Sequence, residues 1–97
     1  MPLSWNTKNF KWNEEKNSRL KVERGISFDE IVWHIVEGNV LEVYDRPNQQ
    51  KYNGQRVFVI NVNNYAWLVP FVETGDEVFL KTIIPSRKVT KQYLGGS

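Results

Sequence analysis

The stretch QRVFVINVNNYAWLVPFV, residues 55–72, leaves the chain little choice of local structure. Two runs rich in β-branched and aromatic residues are separated only by Asn63-Asn64. Asparagine tolerates the positive φ that tight two-residue hairpin turns require. The spacing predicts strands over 55–62 and 65–72 joined by such a turn. Pro70 has no amide hydrogen to give to a ladder, so its strand is expected at a sheet edge or bulged there. ETGD (73–76) turns the chain again and EVFLKTII (77–84) reads as the last strong strand. VLEVYD (40–45) reads as the first, followed by a polar loop whose breakers are Pro47 and Asn53-Gly54.

Helical signals fill the first half and return at the end. Asn13 caps WNEEKNSRLKVERG, with Glu14 and Glu15 in its first turn, Arg24 in its last and Gly25 at the left-handed exit. In ISFDEIVWHIVEG, Ser27 and Glu30 form a capping box, and Ile26 and Ile31 occupy the staple positions. Phe28, Ile31, Val32, Ile35 and Val36 follow helical spacing and define one buried face. Pro85 stops the last strand, and Ser86 caps a short basic helix running to about Leu94. The expected fold class is α+β: two N-terminal helices packed on a four-stranded antiparallel sheet, followed by a short C-terminal helix. The 97 residues read as a single domain, with 1–9 as an N-terminal extension and 95–97 as a frayed tail.

A chain of this length buries roughly 60–68% of its unfolded surface, so its core is modest. With four Trp, four Tyr and five Phe, some rings are expected to face a ligand or partner. There is no cysteine, hence no disulfide framework and no thiolate metal site. No stretch approaches the roughly 20 apolar residues that span a bilayer, and MPLSWNTKNF lacks a signal-peptide layout. The expectation is a soluble cytoplasmic protein without membrane association.

The net charge is only +2, but it is unevenly spread. Residues 1–50 hold seven Lys/Arg against eight Asp/Glu, whereas residues 51–97 hold six against three, and no acid follows Glu77. A local positive field attracts an anionic partner even when the whole molecule is near neutral. The sole histidine, His34, sits mid-helix and reads as a packing or surface residue. Without cysteine, and with one histidine, neither a nucleophilic triad nor a zinc site can be assembled readily. The carboxylate pairs Glu14/Glu15, Asp29/Glu30 and Asp76/Glu77 fall at helix starts or turn exits, where capping and solvation explain them. Arg56, Lys81, Arg87, Lys88 and Lys91 remain, with Tyr93 nearby. Guanidinium groups grip phosphate through paired donors, and aromatic rings stack on single-stranded RNA bases.

One further pattern adds to this reading. Phe10, Trp12, Asn13 and Lys16, then eight residues, then Gly25-Ile26-Ser27-Phe28 and Glu30 give a layout that resembles the BrnT family. GQRVFVI and LVPFVETGDEVFLKTIIPSRKVTKQY continue the likeness, which spans about residues 10–93. The resemblance implies a bacterial type II toxin with a RelE-like ribonuclease fold. It implies RNA as substrate and a cognate antitoxin carrying a ribbon-helix-helix DNA-binding part. DNA would then be met only through that antitoxin, in repression of the shared operon. Lys16, Arg56 and Arg87 match family positions, and Lys88, Lys91 and Tyr93 fall in the short basic helix that often follows. Where the family commonly has Lys-His-Gly, this chain has Glu23-Arg24-Gly25. Arg24 replaces the charge of that histidine but not its proton transfer near neutral pH.

The activity so implied is metal-independent and cofactor-free RNA cleavage, in which the substrate's own 2′-hydroxyl attacks the adjacent phosphate. Arg56, Arg87, Lys81 and Tyr93 would carry the chemistry, and Lys16, Arg24, Lys88 and Lys91 would hold the strand. Lys81 and Glu73 are the candidates for a general base. The physical expectation is that Arg56 and Arg87 converge across neighbouring strands into one anion site. The alternative is a non-catalytic RNA- or antitoxin-binding module, with Trp5, Trp33 and Trp67 as a partner surface.

Overall fold

A computed structural model of the chain describes residues 5–95. After a single 3-10 turn (Trp5–Thr7) the elements run β1 (Asn9–Lys11), α1 (Glu14–Arg24), α2 (Phe28–Val36), β2 (Val40–Asp45), β3 (Arg56–Val62), β4 (Tyr65–Thr74), β5 (Glu77–Leu80), β6 (Ile84–Pro85) and α3 (Arg87–Leu94). The hairpin forms as its sequence demands. Asn63 and Asn64 both take positive φ, 52° and 69°, and β3 pairs with β4 over seven residues from Arg56↔Phe71 to Val62↔Tyr65.

The expected four-stranded antiparallel sheet is corrected to a six-stranded mixed one, with β1-β5-β4-β3-β2 in order and β6 on β4. Two findings make the difference. The N-terminal segment is not outside the fold: Asn9–Lys11 pairs in parallel with Glu77–Phe79, and the Trp5 ring sits edge-on to Phe58 with centroids 4.9 Å apart. The last strand is also split, because residues 81–83 leave the ladder between β5 and β6. The RelE-like, four-stranded description is therefore set aside. The tail beyond Gly95 lies outside the described residues.

That split explains Pro70, which was expected at an edge or a bulge and instead sits in the most central strand. A residue points its N–H and C=O to the same strand edge. The carbonyl of Pro70 accepts from the Lys81 amide at 2.8 Å, on the side away from β3. Its nitrogen therefore faces the break between β5 and β6, where no regular strand requires its hydrogen.

Alternation sorts the sheet into two faces. Phe58, Ile60, Val62, Val69, Phe71, Val78 and Leu80 point one way and close a core with Leu20, Ile26, Phe28, Ile31 and Ile35 from the two helices. Phe58 and Phe71 stack at its centre with centroids 4.0 Å apart. Val57 and Val59 point the other way, yet they too are buried. α3 covers that second face, crossing from Thr90 at β4 to Tyr93 at β2.

The caps form largely as predicted. Asn13 Oδ1 accepts from the Lys16 amide, and Gly25 takes the left-handed φ of 68° that a side chain would resist. Ser27 Oγ accepts from the Glu30 amide, but among the described residues Glu30 makes no return bond, so half of the capping box is present. The first amide of α2 is served from another helix instead: Asn17 Oδ1, buried on α1, accepts from Phe28 N at 2.7 Å, and its Nδ2 donates to Asp29 Oδ2. The buried stripe is also narrower than expected. Val36 is exposed, while His34 is buried as a packing residue, its Nδ1 accepting from Asn39 Nδ2 at 2.9 Å.

Removing Asn17 Oδ1 strands a buried amide. Asn17→Ala is expected to destabilise the protein by about 1–3 kcal/mol. The exposed substitution Arg19→Ala is expected to change stability by less than about 0.5 kcal/mol. Urea midpoints for the two variants and the parent measure the contrast.

Candidate nucleic-acid interface

α3 is built by a local signal and held by a long-range one. Ser86 caps it, its Oγ accepting from Val89 N at 3.1 Å. The Ser86 amide donates to Ala66 O at 3.0 Å. Thr90 Oγ1 accepts from Ala66 N at 2.8 Å and donates to Ser86 O at 2.7 Å. Both backbone groups of Ala66 are thus bonded to the Ser86–Thr90 turn, and this fixes how the helix projects from β4.

At 100° per residue, the side chains of α3 divide into two arcs. Val89, Thr90, Tyr93 and Leu94 fall together and lean on the sheet, whereas Arg87, Lys88, Lys91 and Gln92 share the opposite arc and are exposed. Among the described residues, none of these three cations has a carboxylate within ion-pair reach. Arg87 and Lys88 also occupy the first turn, which holds no acid. Cations there oppose the positive end of the helix dipole, so their placement does not serve the helix.

Arg56 is elsewhere. Its cross-strand partner is Phe71, whereas α3 follows a strand whose Pro85 pairs with Trp67. Four residues of β4 separate those points, about 13 Å at the usual rise, and β3 and β6 flank opposite edges of β4. The faces differ as well: the Arg56 guanidinium lies 5.8 Å from the Phe71 ring on the core side. The two arginines therefore do not form one pocket. Arg56 is also committed to acids, with Nη1 at 3.6 Å from Glu73 and Nε at 3.9 Å from Asp45. Glu73 is held in turn by Lys8 at 2.7 Å. This chain of charges ties the N-terminal segment to the sheet end and leaves Glu73 poorly placed as a base.

The other predicted residues scatter. Lys81 is exposed beside β5, its Nζ 5.3 Å from the Phe79 ring centroid. Arg24 Nη1 donates to the carbonyl of Ile83, fastening the end of α1 to the segment that splits the last strand. Lys16 lies half-buried on α1, behind the sheet from α3. Lys88 and Lys91 are the predicted RNA-binding residues that the fold places together with Arg87.

Tyr93 meets a group that the sequence did not suggest. Its hydroxyl donates to Glu42 Oε1 of β2, 51 residues away. This bond raises the phenol pKa above its ordinary value, helped by burial and by the charge of Glu42. A phenol is protonated at neutral pH in any case, and the bond to Glu42 makes this one a weaker acid than an ordinary tyrosine. The loop 46–55 holds a second missed feature: the Arg46 guanidinium lies 3.6 Å over the Tyr52 ring and donates to Gln55 Oε1. Both residues stand within six positions in the sequence, but no periodicity marks such a loop contact.

At the hairpin end of the sheet is a shallow depression of about 430 Å³ lined by Trp33, His34, Asn39, Asn61, Asn63 and Asn64. Among the described residues, no three His, Asp or Glu side chains are grouped so as to hold a metal ion. None of their helices is long and apolar enough to cross a membrane. Compared with family models, curated proteins and solved structures, the chain matches none.

The Glu42 contact has a measurable signature. In Glu42→Gln the phenolate of Tyr93 forms at lower pH than in the parent. The raised pKa favours the folded state below the unfolded tyrosine pKa of about 10, and that contribution is lost as pH rises through the folded value. Ultraviolet titration of the parent, Glu42→Gln and Tyr93→Phe reads the shift. Coincident curves for the parent and Glu42→Gln would remove the assigned cause.

Proposed function

We propose that the protein binds single-stranded RNA through the exposed basic arc of α3. The carrying observation is the group Arg87, Lys88 and Lys91, which shares one solvent face, has no carboxylate in reach among the described residues and places two members against the helix dipole. Guanidinium and ammonium groups so placed suit a phosphate backbone, one by paired donors and the others as point charges. Lys81 extends the positive surface. The sequence resemblance to BrnT toxins supports a biological setting. In it the protein is the toxin partner of a type II pair, works in the cytoplasm, and is bound by a ribbon-helix-helix antitoxin through which alone it meets DNA.

RNA cleavage by 2′-hydroxyl attack is the second reading, and one observation favours it. Tyr93 stands on the same short helix as Arg87 and remains partly exposed, so a phenol O–H is carried by the element that holds the basic arc. Arg87 would stabilise charge on the phosphate, with Lys81 in support. Arg56 serves the fold in this reading.

Binding of a fluorescent single-stranded RNA oligonucleotide across a salt series tests the first reading. Replacing Arg87, Lys88 and Lys91 by alanine together is expected to reduce the slope of log K against log salt by about 2, near 0.7 for each lost phosphate contact. Arg56→Ala is expected to leave the slope unchanged while lowering thermal stability. Equal slopes for the parent and the triple variant would defeat this reading.

The same oligonucleotide, examined for length after incubation, separates binding from cleavage. A 2′,3′-cyclic phosphate end produced by the parent but not by Arg87→Ala supports the second reading, and RNA left intact by the parent rejects it.

A further inference from the structure

The depression at the hairpin end carries no charged side chain, in contrast to α3. It is lined by one indole, one imidazole and four asparagines. Trp33 is 58% exposed, unusual for so large a ring, yet it is not loose: it stands edge-to-face with His34, centroids 4.9 Å apart and planes at 87°. His34 is in turn set by Asn39. Because the Asn39 amide donates to Nδ1, the neutral ring carries its proton on Nε2. No described residue bonds Nε2.

The asparagines have structural duties that leave binding capacity over. Asn61 Oδ1 accepts from Asn64 N, closing the turn, and its Nδ2 makes no bond to described residues. The side chains of Asn63 and Asn64 are exposed and make no bond to described residues, although their backbones need the positive φ that asparagine tolerates. An oriented aromatic face beside several amide donors and acceptors, without charge, matches an uncharged flat ring with a hydrogen-bonding edge. Asparagine pairs with such edges in two-point fashion, and bases stack on indole. Trp33 stands on α2, across the sheet from α3, so a strand that meets both would pass round the hairpin end. Asn61 pairs across the ladder with Ala66, the residue that bolts α3 to the sheet.

We infer that this depression is a nucleobase subsite: a base of the bound strand stacks on Trp33, and its edge meets the amides of Asn61, Asn63 and Asn64. The inference rests on the RNA-binding reading, with α3 holding phosphates and the depression holding one base. It assigns sequence preference to the hairpin end and affinity in low salt to the helix.

Two probes test it. Each of the four uncharged nucleosides is titrated into labelled protein, with the Trp33 indole N–H and the Asn63 and Asn64 side-chain amides followed by NMR. A saturable shift of these signals by at least one nucleoside, lost in Trp33→Ala, is expected. The variant Asn63→Gly with Asn64→Gly keeps the positive-φ turn while deleting both amides, and it is expected to weaken the shift. With single-stranded RNA containing the preferred base, Trp33→Ala is expected to lower affinity roughly 5- to 100-fold without changing the salt slope. Parent-like RNA affinity in Trp33→Ala, beside a weakened α3 triple variant, overturns the subsite and leaves RNA binding standing. Nucleoside shifts in a protein that binds no RNA would support the subsite and defeat the α3 reading. Unmoved signals with all four nucleosides overturn the subsite.

Discussion

The structure depends on β4 being bonded along both edges. One edge carries the seven-residue ladder to β3, whose only connection is a two-residue turn. The other carries β5 at one end and β6 at the other, with Pro70 at the break. Without that break, a proline in a central strand would leave a ladder donor missing. With it, residues 81–83 are freed to receive Arg24 from α1, and β6 is positioned to deliver α3 to Ala66. The same strand thus anchors the hydrophobic core on one face and the basic helix on the other.

Charge is sorted by these two faces. Lys8, Arg56, Glu73 and Asp45 neutralise one another at the end of the sheet where the N-terminal segment docks. Partly exposed pairs of this kind contribute little each, but as a chain they fix where Trp5 and β1 lie. On the other face, α3 keeps three cations that meet no acid among the described residues, while its phenol Tyr93 bonds the carboxylate of Glu42. Salt screening weakens the first group's role in folding and the second group's hold on an anion by the same law, but only the second lies open to a ligand.

The residues that carry the family resemblance have another explanation. Asn13, Gly25 and Ser27 are the cap, exit and cap of α1 and α2, Phe28 is buried against a stacked Trp12, and Phe10 lies in β1. A block that satisfies folding demands this fully speaks for local structure first. The functional proposals therefore stand on the open basic arc and the amide-lined depression, where folding alone leaves side chains unspent.

Caps, turns and alternation were legible in the sequence, because each is decided by groups within a few residues of one another. Asn13, Ser27, Ser86 and Asn63-Asn64 act as read, and the apolar face of α2 was overestimated only at Val36. The three residues of β1 were not legible, since so short a strand has no period and its parallel partner lies nearly 70 residues on. The partners of Arg56 and Tyr93 were equally hidden: Glu73, Asp45 and Glu42 are ordinary surface acids until the sheet brings them across the chain. The chain alone determined the three helices, the β3–β4 hairpin with its Asn63-Asn64 turn and the positive charge gathered toward its end, but not β1 or the split of the last strand. Only the tertiary structure decided which charges are cancelled and which remain open, because electrostatic pairing depends on distance in space, and folding sets that distance without regard to separation along the chain.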